Sequence, residues 1–459
     1  MHLLRIISIL SWMCVQVRSK AVFAHFMVGN TGSYSEKEWK DDIMLAQAAN
    51  IDAFALNMAT NEIFKDSLSN AFSIAKDVNF KLFFSFDYAG NGSWPRQEVI
   101  NLLGQYKDHP AYYRQGGKPF VSTFEGAQNA TDWHKIKNEI DCFFVPDWTS
   151  VGPRQAANHS VVDGLFSWNA WPEGPRSINT TADKEYINSL DGRPYMMPVS
   201  PWFYTNMPGF DKNWVWRGDN LWHERWQQVI DLKPEFVQII SWNDYGESHY
   251  IGPLRNDGYV AFGPSRGNAP FNYAQKMSHD AWRTLLPYYI NQYKSTNEEV
   301  TLTIENETAV AWYRLHPAKA CRTGGTTGNA PNQGQREYPP STILEDRIFY
   351  SAALNSTSEV TLKVGDSQLT GKWDHAPNGG KGVYHGSIPF EGTGIVQVLI
   401  SRRGKTVATV EGEPITSDCS SSGGIQNYNA WVGQSAAVHI QFPWQLVGFL
   451  VAVWAIKMQ

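Results

Sequence analysis

Cysteine is scarce: there are four in 459 residues, at Cys14, Cys142, Cys321 and Cys419. No two of them stand as CxxC and no HExxH occurs, so a zinc site of familiar spacing has no ligands. A basic excess is missing as well. Lys and Arg total 39 against 44 Asp and Glu, a formal charge of −5, which removes the electrostatic footprint of nucleic-acid binding. No apolar run reaches the roughly 20 residues that cross a bilayer. The first strand-like run is not followed by G-x-G-x-x-G, which argues against an open dinucleotide-binding sheet. No cofactor, metal or nucleic-acid partner is expected.

What the chain has in quantity is aromatic side chains: 19 Trp, 20 Tyr and 23 Phe. Two readings compete. Aromatic residues dominate core burial in any large domain. An indole face is also a flat apolar platform matching the C–H face of a pyranose.

The N-terminus reads as a secretory leader over residues 1–19: a basic start at Arg5, an apolar stretch Ile6–Val17, and a cut near Ser19 and Lys20. Cys14 leaves with it. Of the remaining thiols, Cys321 and Cys419 bracket the last domain and are candidates for one disulfide, while Cys142, in Cys142-Phe-Phe-Val145, reads as buried and free. N-x-S/T sequons at Asn91, Asn129, Asn158, Asn179, Asn306 and Asn355 fit a secreted glycoprotein, extracellular or in a cell wall. At the other end, Leu446–Ile456 is apolar but short for a membrane span. Ser435-Ala436-Ala437 before it fits a GPI-attachment signal, although Lys457 and a partly apolar spacer fit an irregular chain end equally well. Membrane association rests on that signal alone.

From Ala21 to about Asn291 short apolar runs alternate with helical periodicity. The strand-like runs are Ala21–Val28, Ala53–Ala59, Lys81–Asp87, Pro119–Gly126, Cys142–Trp148, Gly164–Trp171, Tyr195–Phe203 and Phe236–Asp244. Between them lie helical segments such as Glu36–Ala49, Glu62–Val78, Arg96–Lys107, Asp183–Leu190 and Asn220–Leu232, with Ser35 and Glu38 spaced as a capping box. Near-continuous apolarity suits strands of a parallel sheet buried on both faces, and eight βα repeats suit closure. The expected fold is α/β: a (β/α)8 TIM barrel over 20–295, then a β-sandwich-like domain over 296–416, then a linker and apolar tail over 417–459. The sandwich is read from short runs beginning with Val300–Ile304 and ending with Thr406–Val410. Within it Thr323–Pro340 is a polar insertion, and Ser420–Gly424 resembles a flexible linker.

In such a barrel the working groups sit at the C-terminal strand ends. The runs carry His25, Asn57, Asp87, Glu125, Asp147 and Asn169 there, and Asp244 with Glu247 three residues on. Trp148, Trp168, Trp171, Trp202 and Trp242 accompany them, and His249 follows in the last segment. Glycosidic cleavage needs this kind of set: one carboxylic acid protonates the leaving oxygen, and another carboxylate activates water or attacks the anomeric carbon. Each residue also has a structural reading. Asn243-Asp244-Tyr-Gly246 is turn chemistry, and Asp87 is placed to cap the helix that follows it.

Eight segments in order resemble one family. They are Ala24-His-Phe-Met-Val-Gly-Asn-Thr31, Phe54-Ala-Leu-Asn-Met58, Phe84-Ser-Phe-Asp87, Phe120-Val-Ser-Thr-Phe124, Val145-Pro-Asp-Trp-Thr-Ser150, Phe166-Ser-Trp-Asn-Ala-Trp-Pro172, Pro198-Val-Ser-Pro-Trp-Phe-Tyr204 and Trp242-Asn-Asp-Tyr-Gly-Glu-Ser-His-Tyr-Ile-Gly252. They resemble the fungal α-1,3-glucanases, or mutanases, of glycoside hydrolase family 71. The resemblance implies an inverting endo-hydrolase of the wall polymer α-1,3-glucan, without a cofactor. It also implies Asp87, Asp244 and Glu247 as catalytic residues; it does not divide acid from base among them, and the expectation taken here is Glu247 as acid, Asp244 as base and Asp87 orienting water or sugar. His25, Asn57, Glu125, Asp147, Trp148, Trp168, Asn169, Trp202, Trp242 and His249 would contact substrate. A non-catalytic wall-binding protein, or a hydrolase of another glucan linkage, is the alternative.

Overall fold

The computed structural model describes residues 20–435 apart from 63, 297–302 and 379. The expected leader, most of Val300–Ile304 and the apolar tail lie outside the described residues. Among these, no helix is long and apolar enough to cross a membrane. The chain divides into two compact units, one of residues up to 301 together with 323–345, the other of residues 302–322 and from 346 on.

The first unit is built on a curled, largely parallel sheet. All eight anticipated runs form strands: Ala21–Met27, Ala53–Met58, Lys81–Asp87, Lys118–Phe124, Phe143–Phe144, Leu165–Phe166, Tyr195–Val199 and Phe236–Ile239. In this numbering the order of pairing is fifth, fourth, third, second, first, eighth, seventh, sixth. The two ends of that order approach each other at Asp147, which makes isolated parallel bridges to Phe124 of the fourth strand and Phe166 of the sixth. Helices follow most strands. The first, Glu36–Ala48, begins with the anticipated capping box, in which Ser35 and Glu38 satisfy each other's backbone N–H.

The period of two along each strand sorts side chains into layers. Phe23, Phe83, Phe120 and Phe236 meet near the strand starts, with ring centroids 4.8–5.7 Å apart. Each such pair adds roughly 0.5–1.5 kcal/mol beyond its area burial. Two residues further along the first, third, fourth and eighth strands stand His25, Ser85, Ser122 and Gln238, all buried. One more step brings Met27, Asp87 and Phe124 to the upper end. A dry aromatic floor thus supports a polar layer, and the polar layer supports the site. Packing takes nine of the sixteen described tryptophans: Trp39, Trp94, Trp133, Trp148, Trp202, Trp226, Trp242, Trp282 and Trp312 are essentially sealed from solvent.

The second unit holds two four-stranded antiparallel sheets. They share one apolar core that includes Tyr313, Tyr350, Leu362, Tyr384 and Val398. Its extent differs from the expectation in two ways. Residues 323–345 leave it and fold with the first unit, because their polar side chains find backbone partners there. The Ser420–Gly424 stretch is not a free linker. Cys419 beside it is joined to Cys321 in a disulfide, Arg322 N–H donates to Gly424 O, and Ala430–Gln434 returns as a strand against Thr308–Arg314. Composition alone does not distinguish a tethered Ser/Gly turn from a linker.

The bridge spans 98 residues of sequence. Removing it with paired Cys321→Ser and Cys419→Ser is expected to destabilise the second unit by about 2–5 kcal/mol, read as a lower denaturant midpoint; an unchanged midpoint would show the bridge to be dispensable. Cys142 is buried and free. Burial pushes its thiol up to about 12, as suits an inert packing residue.

Candidate active site

A cavity of about 170 Å³ opens at the C-terminal ends of the parallel strands. Its lining includes His25, Asn57, Asp87, Trp168, Asp244 and Glu247 from the anticipated set, together with Phe124, Phe203, Lys212, Trp214, Trp216 and Gln333. A more open hollow of about 780 Å³ lies between the helices Gly152–Ala157 and Thr181–Leu190. It is larger, but a single carboxylate, Glu185, lines it, so the smaller cavity, with three, is the candidate for acid/base chemistry.

Asp244 and Glu247 are set by the segment after the eighth strand. Asn243 fastens that segment to the first strand. Its Oδ1 accepts from Met27 N–H at 2.7 Å and its Nδ2 donates to Met27 O at 3.1 Å, so the side-chain amide stands in for one more strand residue. Asp244 N–H donates to Ser241 Oγ, and Glu247 N–H donates to Asp244 Oδ1 at 3.0 Å. These bonds fix both carboxylates on one short loop. One oxygen from each, and a nitrogen of His249, fall within 4.8 Å of one another.

Their surroundings drive the two carboxyls apart. Burial alone would raise Glu247. Lys212 Nζ at 2.6 Å from Oε1 and His249 Nε2–H at 3.0 Å from Oε2 outweigh burial and hold it well below the usual carboxylate range. Asp244 is raised, first by burial and then by the neighbouring Glu247 anion. One group is thus held as an anion and the other is biased towards keeping its proton, the asymmetry that acid and base roles require.

Asp87 ends the third strand. Its Oδ1 accepts from the N–H groups of Ala89 and Gly90 at 2.8 Å each, the Asx-type turn that its structural reading predicts. The turn needs glycine at position 90, where a Cβ would sit 2.8 Å from Asp87 Oδ2. Burial raises the Asp87 carboxyl, against the pull of those two N–H groups.

His25 lies beneath. Gln238 Nε2 approaches its Nδ1 at 3.2 Å, and an amide nitrogen can only donate, so the ring proton sits on Nε2. Burial lowers its pKa to about 3, leaving a neutral donor edge-on to Trp168 at 5.0 Å between ring centroids. Asn57 Nδ2 is buried with no hydrogen-bond partner among the described residues.

Other anticipated residues stand apart. The Trp148 ring is buried against Phe144 and His159, Trp202 against Trp282, and Trp242 against Phe54. None of the three offers a face to a ligand. His249 is sealed and acts on Glu247. Glu125 is turned towards Ser150, accepting from its N–H and hydroxyl. Asp147 is fully buried and bonded to Thr149, and Asn169 is exposed outside the cavity lining.

Sequence reasoning missed Lys212, Trp214 and Trp216. They arrive on the strand Lys212–Val215 and the residue just past it; the strand pairs antiparallel with Tyr204–Met207. Their signal was the alternation Lys212, Trp214, Trp216, which at period two puts all three on one face.

Comparison with known proteins gives the family. The profile of glycosyl hydrolase family 71 matches residues 18–442. A mutanase of Penicillium rubens is 35% identical over 429 residues, covering 92% of this chain and 90% of the relative. A glucan endo-1,3-alpha-glucosidase of Schizosaccharomyces pombe is 34% identical over 431 residues, covering 90% and 94%. An ascus wall endo-1,3-alpha-glucanase of the same yeast is 29% identical over 321 residues, covering 66% and 73%.

Proposed function

The chain belongs to glycosyl hydrolase family 71, and on that footing we propose that it hydrolyses α-1,3-glucan of fungal walls from within the polymer, with inversion at the anomeric carbon. One observation carries the reading: a loop that holds Glu247 as an anion beside an Asp244 biased towards its proton, across a cavity that Asp87 also lines. A binding module has no need of such a division.

In this proposal Asp244 gives its proton to the leaving oxygen, the reverse of the roles first expected for Asp244 and Glu247. A carboxyl held well below the usual range by a lysine is a poor proton donor. Glu247 instead faces the positive charge that builds at the anomeric centre. Inversion requires roughly 6.5–9.5 Å between acid and base, to leave room for water. Asp244 and Glu247 have oxygens within 4.8 Å, too near for that pair. Asp87 is the remaining carboxylate, three strands round the sheet from the segment of Asp244. We assign it to activating the water. His25 Nε2–H, Asn57 Nδ2 and Trp168 would contact the sugar.

The bridges at Asp147 support a second proposal, that the curled sheet closes as a (β/α)8 barrel. Export to the wall is supported by the disulfide and by the exposed positions of Asn91, Asn158, Asn179, Asn306 and Asn355.

The test is incubation of the protein with insoluble α-1,3-glucan and with β-1,3-glucan, sizing the products and following their anomeric form by NMR. Release of β-anomeric oligosaccharides from the α-linked polymer alone is expected. Cleavage of the β-linked polymer would overturn the linkage, and first-formed α-anomers would overturn inversion.

A further inference from the structure

The chain leaves the second unit after Arg322 and returns to it at Asp346; between, residues 323–345 fold with the first unit. This excursion is fastened closely. Thr327–Gly328 pairs in parallel with Trp214 and Val215, on the strand that carries Lys212. Asn213 Nδ2 donates to Gly324 O and Thr326 Oγ1 donates to Asn213 Oδ1. Asn329 Oδ1 accepts from Gly174 N–H, and Asn332 Nδ2 donates to Asp211 O. Gln335 is the central clamp. Its Oε1 accepts from Trp216 Nε1 at 2.8 Å and from Ala330 N–H at 2.9 Å, while its Nε2 donates to Glu173. Ala330 packs with Phe203, Trp214 and Trp216 in one apolar cluster.

Gln333 differs from these neighbours. It closes the turn Pro331–Gln333 and is exposed. It lines the candidate cavity, and its carboxamide makes no hydrogen bond among the described residues. Asn329, Asn332 and Gln335 on either side are committed to the protein. A free amide on a rigid support at the wall of a polar cavity is a ligand-reading group in form, with donor and acceptor both available.

We propose that residues 323–345 form a wall of the saccharide cleft, with the Gln333 carboxamide hydrogen-bonding hydroxyls of a glucosyl unit seated against Trp214 and Trp216. The inference rests on the α-glucan reading above. Gln333 makes its contact in ground and transition states alike, so its loss falls on KM and on kcat/KM rather than on kcat.

The test uses the full chain and α-1,3-linked gluco-oligosaccharides of defined length. Gln333→Ala is expected to raise KM about three- to tenfold, the span of one net hydrogen bond, with thermal unfolding unchanged because the residue is exposed. Gln335→Leu, which frees the Trp216 indole and loosens the wall, is expected to raise KM at least as far and to alter tryptophan fluorescence. An unchanged KM in Gln333→Ala, or a loss confined to kcat, would overturn the proposal. Wild-type protein that cleaves none of these oligosaccharides would instead defeat the α-glucan reading, and the inference with it. The wild-type arm tells the two failures apart.

Discussion

Asp244→Asn is expected to lower turnover of α-1,3-glucan by about 10²–10⁴-fold, the usual range for loss of a general acid, and Glu247→Gln by a similar factor. Equal losses on the polymer would not distinguish the roles, but a change of leaving group does. Fluoride departs without being protonated, so an α-glucosyl fluoride long enough to fill the cavity relieves the enzyme of its acid. Asp244→Asn should then recover most of its activity. Glu247→Gln should stay crippled, because the missing anion is needed whichever group departs. Two variants equally impaired on the fluoride would remove Asp244 from the acid role, and recovery of Glu247→Gln alone would restore the assignment first expected from sequence. Both substitutions are close to isosteric, and Asp244 N–H and Glu247 N–H keep their bonds to the loop. Folding is expected to survive them.

Much of the first unit was legible from the sequence because a buried parallel strand needs an unbroken apolar run, and eight such runs stand in the chain. Short strands were overextended. Phe143–Phe144 and Leu165–Phe166 are two-residue ladders, whereas the apolar text runs on through Trp148 and Trp171 into packed loops. Asp87 was legible for a different reason: it ends its strand, which leaves its side chain at the mouth. Asp244 and Glu247, by contrast, lie beyond Ile239, where the eighth strand ends, and are placed by the loop bonds of Asn243 and Ser241. Tryptophan misled, since its apolar ring suits both a core and a sugar. Trp148, Trp202 and Trp242 went to the core alone, while Trp214 and Trp216, unremarked, are also largely buried but have an edge on the cavity. Lys212 and Gln333 depend on tertiary placement. Lys212 rides a hairpin outside the βα repeats, and Gln333 lies on an excursion of the second unit's chain. Alternation groups Lys212 with Trp214 and Trp216 on one face, but nothing local announces that this face, or Gln333, will meet Glu247's cavity.

Lys212→Met carries the other large expectation, and its sign follows from the two neighbouring carboxyls. In the native protein Lys212 and His249 hold Glu247 well below the usual carboxylate range, against a burial that would raise it. Glu247 therefore stays ionised at all working pH, and the profile of kcat/KM has no acid limb from it. Asp244 is raised by burial and by Glu247, so activity falls as pH rises through its pKa and the proton is lost. Removing the ammonium leaves burial as the dominant influence on Glu247. The group then takes up a proton within the working range, and a new acid limb enters from below. Below that new pKa, kcat/KM should fall about tenfold per pH unit, while near neutrality the loss is smaller. At the alkaline limb Glu247 is ionised in the variant too, and the lost ammonium no longer lowers Asp244, so that limb should move up and the whole bell should shift towards higher pH. Lys212→Arg keeps a cation at the position and should largely restore the acid side, even though its planar fork cannot reproduce the single short contact to Oε1. A purely structural lysine would lower activity by one factor at every pH, and a Lys212→Met profile of native shape would show that the ammonium does not set the protonation of Glu247.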